Sequence, residues 1–170
     1  VENVKAYANA IDADYELVRG KPFREHLTTP CQKVFCIDEK WDNYENVLML
    51  DPDVFVRKGL SKNVFDEKGN GVHGAWQIKL KLKLISENYI TKDTPYWGGS
   101  IYKFNKEERQ KLRSQIPQDN TWPRFSPKSH IKRFEDEGIL SLLAHKAKLK
   151  TQYLDFKWNQ CSYLPKPEDS

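Results

Sequence analysis

The sequence predicts an α/β fold in which a mainly parallel central sheet is flanked by helices. Three observations lead there. Helix-like and strand-like stretches alternate for most of the chain. One stretch, Asn46 to Leu50, is a continuous apolar run of strand length, as expected of a central strand covered on both faces. No repeat, low-complexity tract or linker interrupts the 170 residues, which therefore read as one domain over 1–170.

Each element has its own signal. Val1 to Ile11 place Val1, Val4, Ala8 and Ile11 on one helical face. Tyr15 to Val18 read as a short strand closed by Gly20 and Pro22. Pro30 precedes a helical stretch from Cys31 to Trp41, ended by Asp42-Asn43. After the Asn46–Leu50 strand, Val54 to Val56 read as extended, Leu60 to Phe65 as a helical turn or two, and Lys68 to Gly71 as a turn. Gln77 to Ile85 alternates Ile78, Leu80, Leu82 and Leu84 with Lys79, Lys81 and Lys83, which predicts a half-buried strand. The competing reading is a basic amphipathic helix, because Leu, Lys and Gln favour helices. Gly98 to Phe104 predicts a strand, and Asn105 caps the next helix with Glu108 three residues on. Pro117 to Pro127 is loop, Glu135 to His145 a helix, and Tyr153 to Phe156 a last strand. The tail from Pro165 has no apolar period.

Composition narrows the function classes. Five Trp, eight Tyr and eight Phe are too many large apolar groups for a chain that stays open. No stretch approaches the ~20 apolar residues of a bilayer span, and no apolar leader is visible. Three cysteines (Cys31, Cys36, Cys161) cannot all pair within the chain, which suggests a reducing, cytoplasmic setting. A net charge of +4 suits anionic ligands such as a diphosphate. It falls short of the clustered Lys/Arg of a nucleic-acid footprint. A monomer is the expected state.

The sharpest motif is Val47-Leu48-Met49-Leu50-Asp51-Pro52-Asp53. An apolar strand delivers two carboxylates, spaced i and i+2, at its end, where α/β sheets bind ligands. Pro52 keeps Asp51 out of the helical region. Two such close charges repel, and a divalent cation is a common compensation. Mn²⁺ or Mg²⁺ takes one or two carboxylates alongside phosphate oxygens. The plainer reading is that both aspartates cap the turn.

Beyond this motif, the chain resembles the GT-A fold glycosyltransferases, the Rossmann-like nucleotide-diphospho-sugar transferases, in their glycogenin-like, D-x-D-containing group. The segments that carry the resemblance are YENVLMLDPDVFV, KGLSKNVFD, YWGGSIYKFNKEERQKL and FEDEGILSLLAHKAKLKTQYLDFKWN, in the family's order from about Lys33 onward. The resemblance implies a metal-dependent transferase moving a sugar from a UDP-sugar donor to a hydroxyl on a glycan or glycoprotein, with retention of configuration. It implies Asp51 and Asp53 as ligands of Mn²⁺ or Mg²⁺, with Asp51 also close to the donor. It implies Lys33 near the donor sugar or phosphate, and Gly98, Gly99 and Ser100 as the small-residue turn beside the sugar. It implies Asp136 at the reacting carbon or the acceptor, and Trp158 and Asn159 flanking the site. Arg57 and Arg19 are further candidates for cationic contact with the diphosphate. Trp97, Tyr96 and Trp76 are candidates for a sugar-stacking platform.

Two departures are expected to matter. The family's first, base-binding strand has no counterpart, and no His follows His145 to complete the metal shell. The rival readings are a non-catalytic nucleotide-sugar or carbohydrate-binding module and a haloacid-dehalogenase-type phosphatase, which also places D-x-D after a strand. Phe55 stands where the phosphatase pattern wants Thr or Val. Nucleic-acid binding through Lys79, Lys81 and Lys83 is disfavoured, because no aromatics interleave with them.

Overall fold

The computed structural model describes residues 1–74, 78–118, 122, 135–150 and 152–159. Its regular elements are α1 (Glu2–Ala10), β1 (Asn46–Leu50), α2 (Ile78–Ser86), β2 (Ile101–Asn105), α3 (Lys106–Arg113) and α4 (Asp136–Lys146). Short 3₁₀ segments cover Pro30–Ile37, Glu39–Trp41, Val64–Asp66 and Phe156–Asn159.

The expected parallel sheet is not what forms. Among the described residues the sheet has two strands, β1 and β2, and they run antiparallel. The GT-A fold is therefore not supported. The register sets Val47 opposite Phe104, Met49 opposite Tyr102, and Leu50 opposite Ile101. Residues 70–74 lie along the chain before and within β2 through individual bonds rather than a continuous ladder. The Lys103 N–H donates to Asn70 O at 2.7 Å and the Gly98 N–H to Val72 O at 2.8 Å. The expected strand at Tyr153–Phe156 reduces to a single parallel bridge between Gly71 and Tyr153. Gly69 makes the turn into this segment at φ +109°, and a Cβ there would lie 2.5 Å from Leu154 N.

Two strand expectations fail for identifiable reasons. The alternating Ile/Leu/Lys stretch is the helix α2. Leu80 and Leu84, four apart, turn into the core, while Ile78 and Leu82 stay exposed. Period-2 alternation and helical i,i+4 spacing share these leucines, and Leu and Lys favour the helix. Tyr15–Val18 is not a strand, and Leu17 and Val18 are exposed, with no core face to reward extension. The predicted helix at Cys31–Trp41 is instead two 3₁₀ segments, the first starting at Pro30.

β1 is apolar on both faces, as its sequence requires, but it is not a central strand. Every residue in it is half-buried, and it pairs with β2 alone. Val47 and Met49 pack on the main core, while Leu48 and Leu50 pack on a smaller cluster of Val72, Ile101 and Leu154. Alternate residues point to opposite faces. A continuous apolar run thus serves two clusters instead of two helical layers.

The main core gathers around α4, which is buried from Asp136 to Ala144. A helix buried on all sides needs few polar residues, and Gly138 to Ala144 holds only Ser141. Its neighbours are the Pro30–Ile37 segment, α3 and α2. The capping box forms as predicted. Asn105 Oδ1 accepts from the Glu108 N–H and Glu108 Oε2 from the Asn105 N–H, both at 2.9 Å.

Arg109 on α3 is fully buried and ties the entry of β1 to the exit of β2. Its guanidinium donates to Phe104 O (2.9 Å), Trp41 O (3.0 Å), Glu45 O (3.3 Å) and Tyr44 O. Replacing it removes a buried guanidinium's bonds to four carbonyls, two of which (Trp41 O and Glu45 O) keep a backbone N–H donor. We expect Arg109→Met to cost about 3 kcal/mol or more of stability, measured by urea denaturation. A loss below about 1 kcal/mol would show that the clamp is dispensable.

Candidate functional site

The site is assembled on Lys33, which the Pro30–Ile37 segment carries toward the C-terminal end of β1. Its ammonium donates to Asp51 Oδ2 at 2.8 Å and to Gly99 O at 3.0 Å, and lies 3.5 Å from Asp136 Oδ2. Four separate stretches of chain meet there. Asp51 follows β1 and is held against the glycine turn by its own N–H, which donates to Ser100 O at 3.0 Å. Gly99 precedes β2. Asp136 opens α4, where carboxylates complement the helix dipole.

Asp136 is 2% exposed. The Tyr102 hydroxyl, projecting from β2, donates to its Oδ2 at 2.7 Å. The next residue, Glu137, is also buried, and its Oε1 accepts from the Gly99 N–H at 3.2 Å. Both backbone polar groups of Gly99 are therefore engaged, the carbonyl by a cation and the N–H by a carboxylate. A Cβ on Gly99 would lie 2.9 Å from Asp136 Oδ2, 3.1 Å from Glu137 Oε1 and 3.2 Å from Lys33 Nζ. Gly98 has no such constraint, since its nearest neighbours would be 3.7 Å away. The groups that approach Gly99 closely are the protein's own side chains.

Electrostatics follow from setting two buried carboxylates, Asp136 and Glu137, and the half-buried Asp51 around one half-buried ammonium. Burial works to lower the Lys33 ammonium, but the charges of Asp136 and Asp51 and their hydrogen bonds leave it above its ordinary value. Burial raises the Asp51 carboxyl, and Lys33 offsets this only in part. Burial likewise raises Asp136 against the opposing pull of Lys33 and the Tyr102 hydroxyl. Tyr102 itself is pushed far up by burial and by the Asp136 charge. Glu137 is pushed up to about 7, by burial first and then by Asp136.

The remaining candidates divide. Asp53 is exposed, and its charge is felt at Asp51. Arg57 and Arg19 are exposed and not among the partners of the cluster. Trp97 and Tyr96 are fully buried, Trp97 edge-on against Phe104, so neither is a stacking platform. Trp158 is half-buried against the small cluster. Trp76 and the side chain of Asn159 lie outside the described residues. Cys31 and Cys36 form no disulfide, and burial raises their thiols to about 11 and about 12. Cys161 lies outside the described residues.

Sequence reasoning passed over Tyr102 and Glu137. Strand alternation puts Tyr102 on the face opposite Ile101, toward the main core. Glu137 sits in a run of three carboxylates opening an otherwise apolar helix, which was its available signal.

Hard carboxylate oxygens suit Mn²⁺ or Mg²⁺. Asp51, whose Oδ2 accepts from Lys33, and the exposed Asp53 two residues on are the residues that would hold such an ion, its other ligands coming from phosphate. Among the described residues no group of three or more His, Cys, Asp or Glu is placed to hold a metal alone. No helix of the described residues is long and apolar enough to cross a membrane. Compared with known proteins, the chain matches no family model, no curated protein and no solved structure.

Two outcomes follow from this geometry. Gly99→Ala should cost about 1–3 kcal/mol, because a methyl there displaces three hydrogen-bonded side-chain ends, with thermal unfolding as the measurement. Glu137 has an ordinary value of 4.5 and a folded value of about 7. Its contribution to stability is present below about pH 4.5 and is lost as pH rises through 7. The loss is on the order of 3 kcal/mol. Glu137→Gln should therefore be more stable than the parent at pH 8, with the advantage gone at pH 5. An advantage that is the same at both pH values would contradict this.

Proposed function

We propose that this chain transfers a sugar from a nucleoside diphosphate donor, a UDP-sugar in the first instance, to a hydroxyl of a glycan or glycoprotein acceptor, with retention of configuration. The observation that carries the reading is the convergence of Lys33, Asp51, Gly99 and Asp136. The resemblance singles them out in four separate segments, and they meet around one ammonium.

The chemistry suits that task. Breaking the bond from sugar to diphosphate builds negative charge on the leaving group and positive charge on the sugar carbon. Lys33 supplies fixed positive charge in a partly enclosed site, where it acts more strongly than in water. Asp51 and Asp53 would hold Mn²⁺ or Mg²⁺, which when bound supplies Lewis-acid stabilisation of the leaving diphosphate. Gly99 leaves room for the Lys33, Asp136 and Glu137 groups that would flank the sugar. Asp136 is enclosed, and both Tyr102 and Lys33 engage its Oδ2. A carboxylate so committed suits electrostatic shielding of a cationic carbon better than removal of an acceptor proton. This favours retention over inversion.

The test is a thermal-shift titration with UDP- and GDP-sugars, with and without Mn²⁺, followed by assays of donor hydrolysis and transfer. We expect a Mn²⁺-dependent shift that the double substitution Asp51→Asn, Asp53→Asn abolishes. Asp136→Asn should keep the shift and lose on the order of 10²–10³ in turnover. A shift that survives the double substitution, or phosphate release from simple monoesters without nucleotide dependence, would sink the reading. A shift without turnover in the unaltered chain would leave a binding module.

A further inference from the structure

We propose that Glu137 is a positioning residue, which through the Gly99 peptide holds the Lys33 ammonium between Asp51 and Asp136. The inference deepens the transferase reading and rests on it for its kinetic part.

The geometry is a relay through one residue, Gly99, and the two peptide planes that meet at its Cα. Glu137 Oε1 accepts the Gly99 N–H at 3.2 Å, and the carbonyl of the same residue accepts from Lys33 Nζ at 3.0 Å. The N–H and the carbonyl of Gly99 lie in successive planes, so Glu137 pins the first and narrows how far the second, which carries the carbonyl to Lys33, can turn. The Lys33 side chain has several rotatable bonds and loses its lock if that carbonyl turns away. Gly99 has little conformational resistance of its own, and a side chain there is excluded by the same three groups. The turn therefore depends on external restraints. On one side these are Glu137 and Lys33, and on the other the Gly98 N–H bond to Val72 O at 2.8 Å and the Asp51 N–H bond to Ser100 O at 3.0 Å.

Glu137 is well suited to this work and poorly suited to direct chemistry. It is buried at the start of α4, where it accepts a backbone bond rather than facing a cleft. An ionised carboxylate is the stronger acceptor for the Gly99 N–H. The groups whose charge bears on it are Lys33 from the 3₁₀ segment, Glu135 and Asp136 from its own helix start, and Tyr96 and Tyr102 from the chain leading into and forming β2, with Asp51 behind Lys33. Its elevated value of about 7 means that the strength of the Gly99 bond changes near neutral pH.

The test has a spectroscopic arm and a kinetic arm. In ¹H–¹⁵N spectra of the full chain, the Gly99 amide should move downfield with a midpoint near pH 7 as Glu137 ionises. It should keep that movement in Asp136→Asn and lose it in Glu137→Gln. A Gly99 amide that does not titrate, or that titrates equally in Glu137→Gln, would overturn the proposal whether or not the chain transfers sugar. In the kinetic arm, with UDP-sugar and Mn²⁺, Glu137→Ala should lower kcat on the order of 100-fold, with donor KM little changed. Glu137→Gln should recover most of it, because the amide oxygen still accepts the bond, and should flatten the pH profile near 7. Equal impairment of Gln and Ala would overturn the positioning role. Should no nucleotide sugar turn over at all, the transferase reading fails and the spectroscopic arm still decides the Glu137–Gly99 link. Should Glu137→Ala not fold, the Gln variant carries both arms.

Discussion

One half-buried ammonium governs this molecule. Lys33 is the cation placed among Asp51, Asp136 and, through the Gly99 peptide, Glu137. Removing a charge from water is costly, and removing one partner of a buried pair leaves the other uncompensated. The elements that meet there are thus bound to one another by more than apolar contact. The 3₁₀ segment, the end of β1, the glycine turn and the start of α4 keep their relative positions because displacing any of them strands a charge.

The rest of the fold serves that junction. β1 is short and pairs with a single strand, so its own ladder is a weak anchor. It is held instead by the two apolar clusters its alternate residues enter and by Arg109, which grips the carbonyls leading into it. α4 is the other anchor, since a helix buried on every side has little freedom to shift. Its first turn is where the apolar core gives way to carboxylates. Among the described elements, the site lies where the most deeply buried helix, α4, meets the end of β1.

That placement bears on chemistry. The cluster holds more acid than base, and the excess is carried partly as protonated Glu137 near neutral pH. A cation-bearing anionic ligand would meet a surplus of carboxylate at Asp51 and Asp53 and a fixed ammonium beside them. The large aromatics that flank the glycine turn in sequence, Tyr96 and Trp97, are spent on the core. Under the proposed function, a sugar face would have to be recognised by other groups.

Local signals were legible to the extent that they were local. The β1 boundaries, the helix at Glu2–Ala10, the Asn105–Glu108 capping box and the helix opening at Asp136 follow from patterns spanning a few residues, and all of them form. Lys33, Asp51, Gly99 and Asp136 were also legible, though only as separate positions. What tertiary structure alone decided is how strands pair and which face of an ambiguous segment turns inward. An apolar run such as Asn46–Leu50 states that both its faces are covered, not by what, and two unequal clusters satisfy it as well as two layers of helices. The Leu/Lys alternation in Ile78–Ser86 fits both periods until a core exists on which Leu80 and Leu84 can land together. Tyr102 and Glu137 join the site through partners 34 and 38 residues away, and no short-range pattern encodes a contact across that span.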